Sequence, residues 1–122
     1  MSKTILVLLA LLALSIVITS FDDSSNLPKT PEQQEKELKS FVMWQGKESV
    51  LKLLKDKDSA EFDDLQVHEK FLCGRVNSKN SFGGYAGFSR FISGATTATT
   101  SIEQIGTDPK EFQQAWDLFC TK

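Results

Sequence analysis

The feature that most limits the fold is the apolar run ILVLLALLALSIVI over residues 5–18, interrupted only by Ser15. A stretch that is apolar on every face cannot form one side of a two-layer domain. It is either buried on all sides, placed in a membrane or removed. Lys3 and the α-amine precede it, and Thr19, Ser20, Phe21 and the pair Asp22-Asp23 follow it. A positive start, an apolar centre and small polar residues make up the order of a secretory signal. Cleavage after Ser20 would leave Ile18 at the −3 position, where a smaller residue is preferred. If the run is retained, Ile5 to Phe21 gives 17 residues, at the short end of the roughly 17–25 that span a bilayer. The sequence leaves signal peptide and anchor as alternatives for residues 1–21, with a buried core helix as a third. On either of the first two, Lys3 stays on the cytoplasmic side and everything from Asp22 onward is translocated. No cysteine lies near the end of the run, so lipid attachment there is not expected.

Beyond the run the only cysteines are Cys73 and Cys120. In a translocated domain an even pair reads as one disulfide. It would close 47 residues and tie the middle of the domain to its end. One histidine, His68, with two cysteines does not make a zinc spacing, and no metal or other cofactor is expected. Without Lys3 the domain has 13 basic and 16 acidic residues, a formal charge of −3. No basic stripe stands out, which argues against nucleic acid. Lipid surfaces are disfavoured likewise, so a membrane would be met only through residues 5–21.

Residues 22–29, DDSSNLPK, read as a polar linker, and residues 30–122 as a single small α+β domain. Thr30-Pro31-Glu32-Gln33 has the cap, first-turn proline and capping-box residue of a helix start. Leu38, Phe41, Val42, Val50, Leu51, Leu53 and Leu54 supply its apolar clusters, with Gly46 a candidate kink and residues 56–59 its stop. Residues 64–68 alternate so that Leu65 and Val67 share a face, and residues 70–77 form a second strand joined to the first at Glu69-Lys70. Tyr85 to Ile92 reads as a third strand. The small polar stretch 93–101 leads to a fourth through Ile102 and Ile105. Asp108-Pro109 caps a last helix with Phe112, Ala115, Trp116 and Phe119 on one stripe. The expected fold is α+β: an N-terminal hydrophobic helix, then a helix, three or four antiparallel strands and a helix, both domain helices on one sheet face.

The most unusual stretch runs from Cys73 to Tyr85. Its candidate binding residues are Arg75, Asn77, Lys79, Asn80, Ser81, Gly83, Gly84 and Tyr85. Paired glycines permit positive φ, and successive amides in such a turn can cradle an anion. The alternative is a turn that needs those glycines for geometry while Asn and Ser satisfy the backbone. The order of a phosphate-binding loop is absent. Tyr85, Phe88 and Phe91 are either an aromatic ledge for a glycan or peptide, or part of the core. Asp63 and Asp64 are neighbours on a strand, so they should point to opposite faces and not act together. Ser81 with His68 and a carboxylate is too common a composition to define a triad.

DKDSAEF at 56–62 and CGRVNSKNSFGGYAGFSRFI at 73–92 resemble a group of small exported bacterial and prophage proteins. That group carries a D-P-D-S-A-x-F element and a C-G-x-V-N-x-x-N-S-x-G-G-Y-x-G element behind a signal or lipoprotein leader. Here Lys57 stands in the place of the usual proline, and no lipobox cysteine is present. The resemblance implies a bacterial extracytoplasmic domain, periplasmic or secreted, and no particular chemistry. The functional expectation is a non-enzymatic module that binds an envelope protein or cell-wall component. The alternatives are a prophage-type exclusion or immunity factor and a small hydrolase using Ser81 or the carboxylates with His68.

Overall fold

The computed structural model describes residues 27–121. The apolar run, whether signal or anchor, and most of the polar linker lie outside the described residues. The chain divides into a unit Met1–Thr30 and a compact unit Pro31–Lys122. No described helix is long and apolar enough to cross a membrane.

The compact unit is α+β. Helix α1, Pro31–Leu51, opens on a first-turn proline and Glu32, which suit the positive end of the helix dipole. It is continuous through Gly46, so the glycine does not split it. The glycine serves close approach instead: a Cβ there would lie 2.6 Å from the Leu72 Cβ of the underlying sheet. Beside this contact the buried Ser93 hydroxyl donates to the Gly46 carbonyl at 2.8 Å and lies 2.9 Å from the Thr100 hydroxyl.

Four strands follow, β1 Glu61–His68, β2 Phe71–Asn77, β3 Ser89–Ser93 and β4 Thr100–Ile102, in the antiparallel order β1-β2-β3-β4. Glu69, at φ 53°, forms the tight turn between β1 and β2. The third strand begins at Ser89, later than the sequence pattern suggests, because Tyr85–Phe88 belong to an ordered loop. Ile105 lies outside β4 and only bridges back to Ile102. Helix α2, Pro109–Phe119, is capped by Asp108, whose carboxylate accepts from the Lys110 and Glu111 amides.

The two helices pack on opposite faces of the sheet, not on one. Val50 of α1 packs with Leu72, Val76, Phe91 and Ile102, and half-buried Phe62, Leu65 and Val67 join them. Phe112 of α2 packs instead with Cys73, Ile92 and Cys120, backed by Phe71, Ala115 and Trp116. Leu72 and Cys73 are consecutive on β2, as are Phe91 and Ile92 on β3, so the two clusters face opposite ways. Both central strands are apolar on both faces, and each face therefore needs a cover. The disulfide Cys73–Cys120, with Cα atoms 5.9 Å apart, pins the end of α2 to β2.

Candidate functional site

The loop between β2 and β3, residues 78–88, holds most of the residues singled out in the sequence. Its shape is set by two asparagines. The Asn80 side-chain oxygen accepts from the Phe82 amide at 2.9 Å and the Gly84 amide at 3.2 Å. The Asn80 carbonyl takes the Gly83 amide at 3.0 Å, and the Asn80 amide donates to Gly84. Asn77 Oδ1 accepts from Gly87 at 3.1 Å. Gly83 and Gly87 sit at φ 79° and 94°, where an L side chain would be strained. The amides that could have cradled an anion are thus turned inward onto Asn80, which fills the concavity itself. Asn77, Asn80 and the glycines shape the loop, and its outer surface is what remains for a partner.

That loop is anchored to the segment before β1. Ser59 Oγ accepts from the Lys79 amide at 2.8 Å and donates to the Asp56 carbonyl at 2.8 Å. The segments 56–62 and 73–92 therefore meet in space. Phe62, at the end of the first segment, packs edge-on against Phe91 of the second, with ring centroids 5.7 Å apart. Lys55 donates to Ser81 Oγ at 3.1 Å.

The outer surface is aromatic. Phe82, which sequence reasoning passed over, is 97% exposed at the loop tip; Tyr85 is 48% and Phe88 43% exposed. Phe91 is fully buried, so the three-ring ledge divides into two surface rings and one core ring. Tyr85 carries Lys79 over its ring at 5.7 Å, and Phe88 carries the Arg75 guanidinium at 5.3 Å, both within cation–π range. Partial burial, then the neighbouring Glu61 carboxylate, hold the Tyr85 hydroxyl above its ordinary value of 10.0. The one signal in the sequence for Phe82 is its isolation between Ser81 and Gly83, with no apolar periodicity to place it in a core.

Arg75 corrects the reading of the adjacent aspartates. Its guanidinium donates to both Asp63 oxygens, at 2.9 and 2.7 Å, and forms an ion pair with Asp64 at 3.1 Å. Strict alternation would keep the two carboxylates apart. The register shift between Asp63 and Gln66, with Asp64 at φ 49°, is a bulge that brings both to one side. The hydrogen bonds it donates to Asp63 are the main reason the Arg75 guanidinium is held above its ordinary range. Arg90, opposite Arg75 on β3, pairs with Glu103 at 2.8 and 2.9 Å and lies over the Trp116 ring at 4.9 Å. Those bonds hold the Glu103 carboxyl below the usual carboxylate range.

The structure does not bring Ser81 and His68 together. His68 ends β1 beside the β1–β2 turn, while Ser81 lies past the other end of β2, a strand whose 7 residues span about 20 Å. His68 Nε2 is 3.2 Å from the Gln66 side-chain oxygen. Around that turn is a hollow of about 540 Å³ lined by Val67, His68, Glu69, Phe71, Leu118 and Phe119. Among the described residues no group of three or more His, Cys, Asp or Glu is placed to hold a metal.

Comparison with known proteins adds no relative. No family model, no curated protein and no solved structure matches this chain.

Proposed function

We propose that this chain is an extracytoplasmic binding module of the bacterial envelope, and that it meets its partner through the loop 78–88. The observation that carries the reading is the exposed Phe82, held on a loop whose backbone is fixed by Asn77, Asn80 and Ser59. A disordered tip could carry an apolar side chain at little cost. An ordered one keeps a phenyl ring in water, and in binding proteins such preorganised aromatics are the anchors. Tyr85 and Phe88 widen the patch, with Lys79 and Arg75 behind them. A protein or glycan of the envelope is the class of partner that suits aromatic rings rimmed by cations and hydroxyls. Translocation is supported by the order of charges around the apolar run and by the disulfide.

The test compares the immobilised full chain with its Phe82→Ser and Phe88→Ser variants against solubilised envelope and purified cell wall. A component retained by the parent and lost by Phe82→Ser, at an unchanged melting temperature, is the expected result. Because Phe82 touches so little, its replacement should alter stability by less than about 0.5 kcal/mol. Identical retention by parent and variant would remove the loop from the function.

A further inference from the structure

Helix α1 outruns the sheet beneath it. All of residues 31–41 are exposed, and only Gly46, Ser49 and Val50 of its 21 residues are buried. About three turns therefore stand clear of the sheet, a length at which an isolated helix is marginal in water. The face turned away from the sheet is nevertheless apolar. At about 100° per residue, Phe41 lies opposite Val50 and Trp44 nearly opposite Gly46. Leu38, Phe41 and Trp44 are 59%, 52% and 61% exposed, and the Phe41 and Trp44 ring centroids are 6.3 Å apart. The cations of the helix point elsewhere. Lys36 and Lys39 line a hollow with Glu32 and Glu35, and Lys47 lies over the Phe62 ring of β1 at 5.5 Å.

The order of residues along this strip selects what covers it. Phe41 is the midpoint of Pro31–Leu51, and Leu38 and Trp44 stand at equal distances on either side of it. On the same face Gln34 and Glu37 precede Phe41, and Gln45 and Glu48 follow it. When the helix is reversed about Phe41, position 38 meets 44, 34 meets 48 and 37 meets 45. Apolar side chains then meet apolar ones, and each glutamate meets a glutamine rather than another carboxylate. A two-fold interface requires this reciprocity. In a parallel pair each carboxylate would face its own copy, and anionic lipid would meet the same two acids. We infer that α1 pairs antiparallel with α1 of a second copy of this chain, crossing at Phe41. Large side chains bury about 150–250 Å² each, so three half-exposed ones supply roughly 300 Å² per copy. With the polar flanks the pair covers on the order of 1,000 Å² in total, the low end for specific contacts. The dimer is accordingly weak and reversible. Lys55, just beyond the end of α1, donates to Ser81, so the antiparallel pair carries its two loops 78–88 at opposite ends.

The test is sedimentation equilibrium of the exported full chain from about 1 μM to about 1 mM. A monomer–dimer equilibrium is expected, and salt should not weaken it, because the flanks of both helices are acidic. Phe41→Gln should weaken it by roughly tenfold or more at an unchanged melting temperature. Association through a retained apolar run would persist in that variant and is thereby told apart. A second measurement reads the register: Gln34→Cys and Glu48→Cys chains are mixed and oxidised, with peptide mapping to show that Cys73–Cys120 is kept. The mixed 34–48 link should exceed either chain linked to itself. A chain that stays monomeric at about 1 mM, association that Phe41→Gln leaves at full strength, or equal linking in all combinations overturns the assignment. So does a monomer that uses Phe41 to bind lipid vesicles or a basic helix, which would give the strip to another occupant.

Discussion

Tyr85 is the single tyrosine of the chain, so the phenolate absorbance of the whole protein reports one side chain. Partial burial and the Glu61 carboxylate both disfavour its anion in the folded state. A group whose folded value is raised favours the folded state less as pH climbs past the unfolded value, because the unfolded chain gives up its proton first. The absorbance midpoint of the native protein should therefore lie above that of the urea-denatured chain, and Glu61→Gln should bring it part of the way down. Coincident native and denatured midpoints would contradict the placement of Tyr85 against Glu61. Gly46 offers a stability test at the same scale. Gly46→Ala places a methyl 2.6 Å from Leu72 Cβ and 2.8 Å from its Cδ2, which separates α1 from the sheet. Alanine normally favours a helix by about 1 kcal/mol over glycine. Overpacking of this kind costs about 1–3 kcal/mol, so urea denaturation should show a net loss or no gain, where an exposed helical glycine would show a gain.

At the scale of elements, what could be read from the sequence depended on whether the signal was local. The start of α1 at Pro31, the Glu69 turn and the Asp108 cap are each set by neighbours a few residues away, and each lies where the pattern placed it. Asp108→Ala should cost about 1 kcal/mol in melting or urea experiments, since two α2 amides lose their acceptor. The placement of both helices on one face failed because it asked only which residues alternate. The consecutive apolar pairs Leu72-Cys73 and Phe91-Ile92 already state that both faces of the central strands are covered. The convergence of Asp63 and Asp64 on Arg75 was not legible, since a bulge depends on pairing with a distant strand. In the loop, Asn80 and the glycines stand out in the sequence as unusual. That Asn80 Oδ1 would occupy the turn's own concavity is a contact no spacing rule specifies.

For the whole molecule, opposite-face packing makes the two helices unequal. Helix α1 reaches β1, β2, β3 and β4 and closes a cluster containing Val50, Leu72, Phe91 and Ile102, each no more than 1% exposed. Helix α2 rests on a smaller cluster in which Phe112 and Ile92 are the buried apolar residues besides the two cysteines, and Arg90 adds its contact with Trp116. The disulfide is therefore expected to matter most for α2. Closing a loop of 47 residues is worth roughly 3–4 kcal/mol through the unfolded chain. Intact-mass measurement of the native protein should first show the loss of two hydrogens. After reduction under native conditions, hydrogen exchange should accelerate over Pro109–Phe119 well before the strands or the second half of α1 respond. The loop 78–88, which hangs on Ser59 and β2, should keep its partner after reduction. Uniform acceleration across the sheet would instead show that the two faces unfold as one unit.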